Sequence, residues 1–242
     1  MPLKRWLHQC LPKIWQSRNG LACLLTPVSM LYRGLVAARQ GLYRSGFLPS
    51  VRLSVPVLVV GNVVAGGAGK TPLTIAIVQH LLDQGWHPGV VSRGYGRQNQ
   101  GTRAVEANSA PADVGDEPLL IHQKTGVPVW VGQKRADAGR SLLQMHPETD
   151  ILVCDDGLQH WALARDIEIC VMDDRGIGNG WLLPAGPLRE TWPKKTDLLL
   201  HTGARSMGGG FQAQRALEDW AHDGLGRRVS LDSLKGQPVD AL

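Results

Sequence analysis

Val55-Pro56-Val57-Leu58-Val59-Val60-Gly61-Asn62-Val63-Val64-Ala65-Gly66-Gly67-Ala68-Gly69-Lys70-Thr71 joins an apolar run to a glycine-rich turn closed by Lys-Thr. Leu73-Thr74-Ile75-Ala76-Ile77-Val78 follows and reads as a helix. A strand feeding such a turn into a helix aims backbone N–H groups at one point, where they hold a polyphosphate. Gly66, Gly67, Ala68 and Gly69 would form the cradle, Lys70 would place a charge on the β/γ-phosphates, and the Thr71 hydroxyl would ligate Mg²⁺. The Walker A pattern G-x-x-x-x-G-K-[ST] is met except at its first glycine, where Val64 stands.

Outward from this loop, short apolar runs alternate with helical stretches. Strands are expected over 55–61, 88–92, 127–131, 150–154, 167–172 and 197–201, and helices over 70–84, 116–125, 135–145 and 211–222. Runs such as Ile151-Leu152-Val153-Cys154 are apolar throughout, as strands buried on both faces of a parallel sheet are. The expected class is α/β, a P-loop NTPase-like, mostly parallel sheet flanked by helices. Residues 93–115 read as a long loop near the site. Cys10, Cys23, Cys154 and Cys170 show no C-x-x-C spacing and read as free thiols in a reducing compartment, with Cys154 and Cys170 buried.

Charge is distributed unevenly over the 242 residues. The first 82 carry nine basic and no acidic residues, net +9; the rest carry 17 basic and 21 acidic, net −4. A basic N-terminal block points to an anionic partner surface. Leu3, Trp6, Leu7, Cys10, Leu11, Ile14 and Trp15 share one helical face, with Lys4, Arg5 and Lys13 between them. Tryptophans on an apolar face suit a lipid headgroup interface rather than base stacking, so a membrane surface and no nucleic acid is the expectation. The apolar stretch Leu21–Tyr32 has 12 residues and contains Pro27. It falls short of the ~20 residues a spanning helix needs, which leaves a segment lying in or dipping into the membrane, or an ordinary packed helix pair. A cleaved signal peptide is disfavoured, because a phosphate loop downstream needs cytosolic nucleotide.

Further chemistry is expected where strands end. Asp155 and Asp156 close an apolar strand and suit Mg²⁺; on an extended strand they point apart, so both face a metal only if the chain has already turned. Gly157-Leu158-Gln159-His160 follows, with His160 either structural or in the site. Asp116 and Glu117 open a helix, where they either cap it or supply a carboxylate that deprotonates an acceptor hydroxyl. Arg135 opens another helix and suits a phosphate or acidic substrate. Ser92-Arg93-Gly94-Tyr95-Gly96-Arg97 and Leu183-Pro184-Ala185-Gly186-Pro187-Leu188-Arg189-Glu190 read as pocket-lining loops. Arg189 either steadies transferring phosphoryl charge or pairs at the surface.

Together these strings, with Gly115-Asp116-Glu117-Pro118 and Asp155-Asp156-Gly157-Leu158-Gln159-His160, resemble the tetraacyldisaccharide 4′-kinase family of lipid A biosynthesis. The matching runs cover about residues 55–205 in order. The resemblance implies γ-phosphoryl transfer from ATP with Mg²⁺ to the 4′-hydroxyl of a lipid disaccharide, at the cytoplasmic face of the Gram-negative inner membrane. It implies Asp116 as the catalytic aspartate beside Lys70 and Arg189, and Gln159 at the nucleotide. Thr71, Asp155, Asp156 and Glu117 would serve the metal, and Arg93, Arg135, His160 and Glu190 the substrate. It divides the chain into a membrane-associating helical segment, 1–50, and a P-loop kinase core, 51–242. The family's later Phe-Pro-Asp-His-His type motif is not in this sequence. That implies a chain short of the C-terminal lobe, with Asp116 lacking its histidine partner and turnover reduced about 10²–10⁴-fold. Two alternatives stand beside this reading. One is a nucleotide-binding fragment; the other is a GTPase-type switch, which needs an Asn-Lys-x-Asp motif that the sequence lacks.

Overall fold

The computed structural model describes residues 14–203, 209–214, 220–222 and 227–234. In chain order the elements begin with α1 (Gly20–Leu24), α2 (Thr26–Arg44), β1 (Val57–Gly61), α3 (Lys70–Asp83), β2 (Pro88–Ser92) and β3 (Arg103–Ala104). Then come α4 (Pro111–Val114), α5 (Asp116–Thr125), β4 (Val129–Val131), α6 (Arg135–Met145), β5 (Ile151–Asp155), β6 (Ile167–Met172) and β7 (Leu198–His201). β8 (Phe211–Gln212), β9 (Trp220–His222), β10 (Arg228–Ser230) and a 3₁₀ turn (Leu231–Leu234) follow.

Eight strands form one sheet in the order β3-β4-β2-β5-β1-β6-β7-β8, parallel except for β3 at the edge. β1, which feeds the phosphate loop, lies between β5 and β6, with Val60 beside Asp155. Strand residues alternate between two cores. Val57, Val59, Leu152 and Cys154 pack with Leu142 of α6 and with Tyr32 of α2. Leu58, Val60 and Val153 pack with Val78 of α3 and Ile121 of α5 on the other side. Burial on both faces explains the unbroken apolar runs. It also raises the thiols of Cys154 to about 11 and Cys170 to about 12 by desolvation, so both stay protonated.

The expected strands and the helices at 70–84, 116–125 and 135–145 are present to within two residues at each end. Of the helix expected over 211–222, residues 215–219 lie outside the described residues, and the described ends are strand. Phe211 and Gln212 extend β7's edge, in register with Leu200 and His201, and Trp220–His222 pairs antiparallel with β10. Free backbone groups on β7 outweigh a weak helical spacing there. The loop over 93–115 carries the short β3 and α4. Of the expected N-terminal amphipathic helix, residues 1–13 lie outside the described residues. Among the described residues no helix is long and apolar enough to cross a membrane.

Leu152 is fully buried in central β5. Leu152→Ala is expected to cost about 2–5 kcal/mol of stability, read as a lowered denaturant midpoint with an unchanged slope.

Candidate functional site

The expected phosphate loop opens at the carboxyl end of β1 and closes on Lys70, the first residue of α3. Val64, standing where the Walker pattern has glycine, is buried and forms an antiparallel bridge with Leu188. The Ala65 N–H donates to Pro187 O at 2.8 Å, and the Arg189 N–H donates to Val63 O at 2.7 Å. This two-rung ladder needs extended backbone on the loop side, which a β-branched residue favours. It also brings Arg189 to the phosphate loop.

Charged groups meet beyond the ladder. Arg189 Nη1 lies 3.1 and 3.2 Å from the two Asp156 oxygens, and Lys70 Nζ lies 3.6 Å from Asp156 Oδ1. Lys70 Nζ also donates to Asn62 Oδ1 at 3.4 Å. Asp156 has φ 47°, the one positive φ outside glycine among the described residues. The chain therefore turns between the two acids, and they no longer point to opposite faces of a strand.

Asp155 is 1% exposed. Its carboxylate accepts from Thr74 Oγ1 at 3.1 Å and Ser92 Oγ at 3.4 Å. Desolvation, then the charges of Glu117 and Asp156, push it up to about 6. Glu117, in the first turn of α5, is near enough for its charge to act on Asp155. Thr71, Asp155, Asp156 and Glu117 offer hard oxygen donors, the chemistry Mg²⁺ takes when phosphates and water complete its octahedron. Among the described residues no group of three or more acidic, histidine or cysteine side chains is placed to hold a metal ion, so Asp155, Asp156 and Glu117 do not form a metal site by themselves. Such donors would fit a metal only together with the oxygens of a bound phosphate and water.

Asp116 and Glu117 start α5 next to the Arg93 loop. Gly94 and Gly115 both take positive φ and lie back to back. A Cβ on Gly94 would stand 2.6 Å from Val114 O, and one on Gly115 would stand 3.1 Å from Gly94 Cα. Only glycine at both positions allows this approach. Arg135 is buried at the start of α6. Its Nη2 donates to Asp156 O at 3.3 Å, and its Nε has no hydrogen-bond partner. The Arg135 N–H lies 3.4 Å from His160 Nε2. Arg39, Arg93, Arg135 and Arg165 all bear on His160; burial first, then these charges, lower it to about 4.

Glu190 is placed differently from the expectation of a substrate contact. It is 2% exposed and accepts from Gln159 Nε2 at 2.7 Å, Gln40 Nε2 at 3.2 Å and Lys194 Nζ at 3.5 Å. A carboxylate closed in by three donors supports its neighbours rather than offering a free face. Gln159, expected at nucleotide, is held between Glu190, Asn62 O at 3.0 Å and Arg189 Nη1 at 3.4 Å. Sequence reading did not single out Asn62, Thr74, Ser92, Tyr32 or Gln40 as site residues. For Asn62, a polar side chain directly after a buried strand was the available signal. Tyr32, whose phenol is raised by burial and stays protonated, donates to Arg189 O at 2.9 Å.

The family model for tetraacyldisaccharide-1-P 4′-kinase matches residues 21–230. The chain belongs to the tetraacyldisaccharide 4′-kinase family. A family member from Acidovorax sp. (strain JS42) is 57% identical over 230 residues, which is 94% of this chain and 68% of that protein. Another, from Delftia acidovorans, is 51% identical with the same coverage. Among solved structures, LpxK from Aquifex aeolicus in complex with ATP aligns with a TM-score of 0.77 and 30% identity. That alignment covers 90% of this chain and 72% of the other.

His160 gives a pH signature. Its folded value lies below the unfolded value near 6.5, so between about 4 and 6.5 the unfolded chain binds the extra proton. Its contribution is complete above pH 6.5 and is lost as pH falls through that window. His160→Gln is expected to flatten the fall in melting temperature between pH 6.5 and 4 relative to wild type.

Proposed function

We propose that this chain transfers the γ-phosphoryl group of ATP to the 4′-hydroxyl of tetraacyldisaccharide 1-phosphate, giving lipid IVA. The observation that carries this reading is the meeting of Lys70, Asp156 and Arg189 within 3.6 Å at the carboxyl ends of β1 and β5. Two cations around one carboxylate, beside a glycine-rich amide loop, form a site matched to a polyphosphate and its metal.

In this reading the amides of Gly66 to Gly69 hold the phosphates and Lys70 neutralises the β/γ oxygens. Thr71 and Asp155 take the Mg²⁺, with Glu117 and Asp156 next to it. When bound, Mg²⁺ withdraws charge from the β- and γ-phosphate oxygens. Asp116 accepts the proton of the 4′-hydroxyl as its oxygen bonds to the γ-phosphorus. The γ-phosphorus to β-oxygen bond breaks and ADP leaves. Arg189, paired to Asp156 without nucleotide, turns to the transferring phosphoryl group. Arg93, Arg135 and neutral His160 receive the acceptor's anionic headgroup, because their surroundings are dominated by guanidinium groups. Glu190 keeps Gln159 in place.

The acceptor's acyl chains stay in a bilayer, so the enzyme must reach the surface where the sugar emerges. α2 fits that task. Ser29, Tyr32 and Gln40 bond inward to Leu182 O, Arg189 O and Glu190. Val28, Leu31 and Leu35 stand outward, Leu31 67% exposed and Leu35 63%. On a helical wheel Arg39 borders this outward face on one side and Arg33 and Arg44 on the other, the pattern of a helix lying in an anionic headgroup layer. The membrane-associating segment of residues 1–50, a core over 51–242 and a place on the cytoplasmic face of the inner membrane complete the proposal.

Purified protein incubated with γ-labelled ATP and tetraacyldisaccharide 1-phosphate is expected to yield labelled lipid IVA, with Lys70→Ala and Asp116→Asn each losing about 10²-fold or more. Nucleotide binding without labelled product would instead support a binding fragment. In parallel, Leu31→Glu/Leu35→Glu is expected to reduce sedimentation with phosphatidylglycerol vesicles several-fold while leaving MgATP affinity in place.

A further inference from the structure

The carbonyls of the phosphate loop are capped residue by residue. Ala65 O accepts from Arg175 Nη1 at 3.4 Å, and Gly66 O from Asn62 Nδ2 at 3.3 Å. Gly67 O accepts from Arg175 Nη2 at 2.5 Å, and Ala68 O from Thr202 Oγ1 at 3.1 Å. Four consecutive carbonyls thus have side-chain donors, from the ends of β1, β6 and β7. Arg175 is itself held by Asp173, whose oxygens lie 2.7–3.0 Å from its Nε and Nη2. The Arg175 N–H also donates to Asp173 Oδ1 at 3.0 Å. Gly66 takes φ 100°, and a Cβ there would stand 2.8 Å from Arg175 Nη1, so the loop is shaped around this guanidinium.

A peptide plane has its N–H and C=O on opposite sides. Fixing a carbonyl on its donor therefore fixes the next residue's amide on the opposite side of the peptide plane, where it is left free for a phosphate. An uncapped carbonyl that turned inward would set negative charge against phosphate. Asp173 neutralises Arg175, so the guanidinium acts through geometry more than through net charge. We propose that Arg175, braced by Asp173, and Thr202 are positioning residues for nucleotide: by capping the loop's carbonyls they preorganise its amides before phosphate arrives. This rests on the kinase reading for what the loop binds, but the preorganisation is a property of the nucleotide-free protein.

Two measurements test it. Amide hydrogen exchange over residues 65–71 is compared without nucleotide in wild type, Arg175→Met, Asp173→Asn, Thr202→Val and Thr202→Ser. MgATP affinity is measured by calorimetry on the same set. Arg175→Met is expected to exchange faster across this segment and to weaken MgATP binding about tenfold, the scale of one lost charge-assisted hydrogen bond. Asp173→Asn and Thr202→Val should shift both readouts the same way by smaller factors, and Thr202→Ser should restore them. In turnover assays KM for ATP should rise more than kcat falls. Exchange and affinity in Arg175→Met and Thr202→Val within twofold of wild type would overturn the proposal. Faster exchange in a protein whose wild type fails to bind MgATP would support the carbonyl caps and contradict the kinase reading instead.

Discussion

The two-rung ladder between residues 63–65 and 187–189 is the constraint on which the site depends. It fastens a loop that follows β1 to a Gly/Pro-rich segment more than a hundred residues later. Without it Arg189 would belong to a surface loop with no fixed relation to the phosphate cradle. With it Arg189 stands opposite Lys70 with Asp156 between them. The departure of Val64 from the Walker pattern is what the ladder needs, since an extended, buried residue holds the rung better than glycine.

The same segment carries the ladder on one side and α2 on the other. Ser29, Tyr32 and Gln40 reach it from one helical face, while leucines occupy the opposite face. A surface suited to lipid and a pair of residues beside the phosphates are thus separated by the thickness of one helix. In the proposed function, where the acceptor is anchored in a bilayer, that short distance would orient the sugar hydroxyl toward the nucleotide.

Much of this was legible in the sequence, for identifiable reasons. Strands such as Ile151–Asp155 are apolar on both faces, so their position was clear even though no alternation marked them. Gly94 and Gly115 stand in strings that the sequence marks, but their back-to-back approach follows from the path of the backbone and not from local spacing. The expected helix fails at Phe211 and Gln212 because an open strand edge on β7 is a tertiary partner that local spacing does not reveal. Glu190 illustrates a second limit. The family resemblance implies contact with substrate, but Glu190 is buried and bonded to Lys194, Gln159 and Gln40, the last of them 150 positions away in sequence. Likewise Arg175 and Thr202 carry no motif; only the path of the phosphate loop gives their donors meaning.

The most direct test of the central claim is a crystal structure with a non-hydrolysable ATP analogue and Mn²⁺ in place of Mg²⁺, located by anomalous scattering. A metal peak between Thr71 and Asp155 is expected, with the γ-phosphate in hydrogen-bond reach of Lys70. A triphosphate bound away from the Gly66–Thr71 amides, or a metal remote from Asp155, would contradict it.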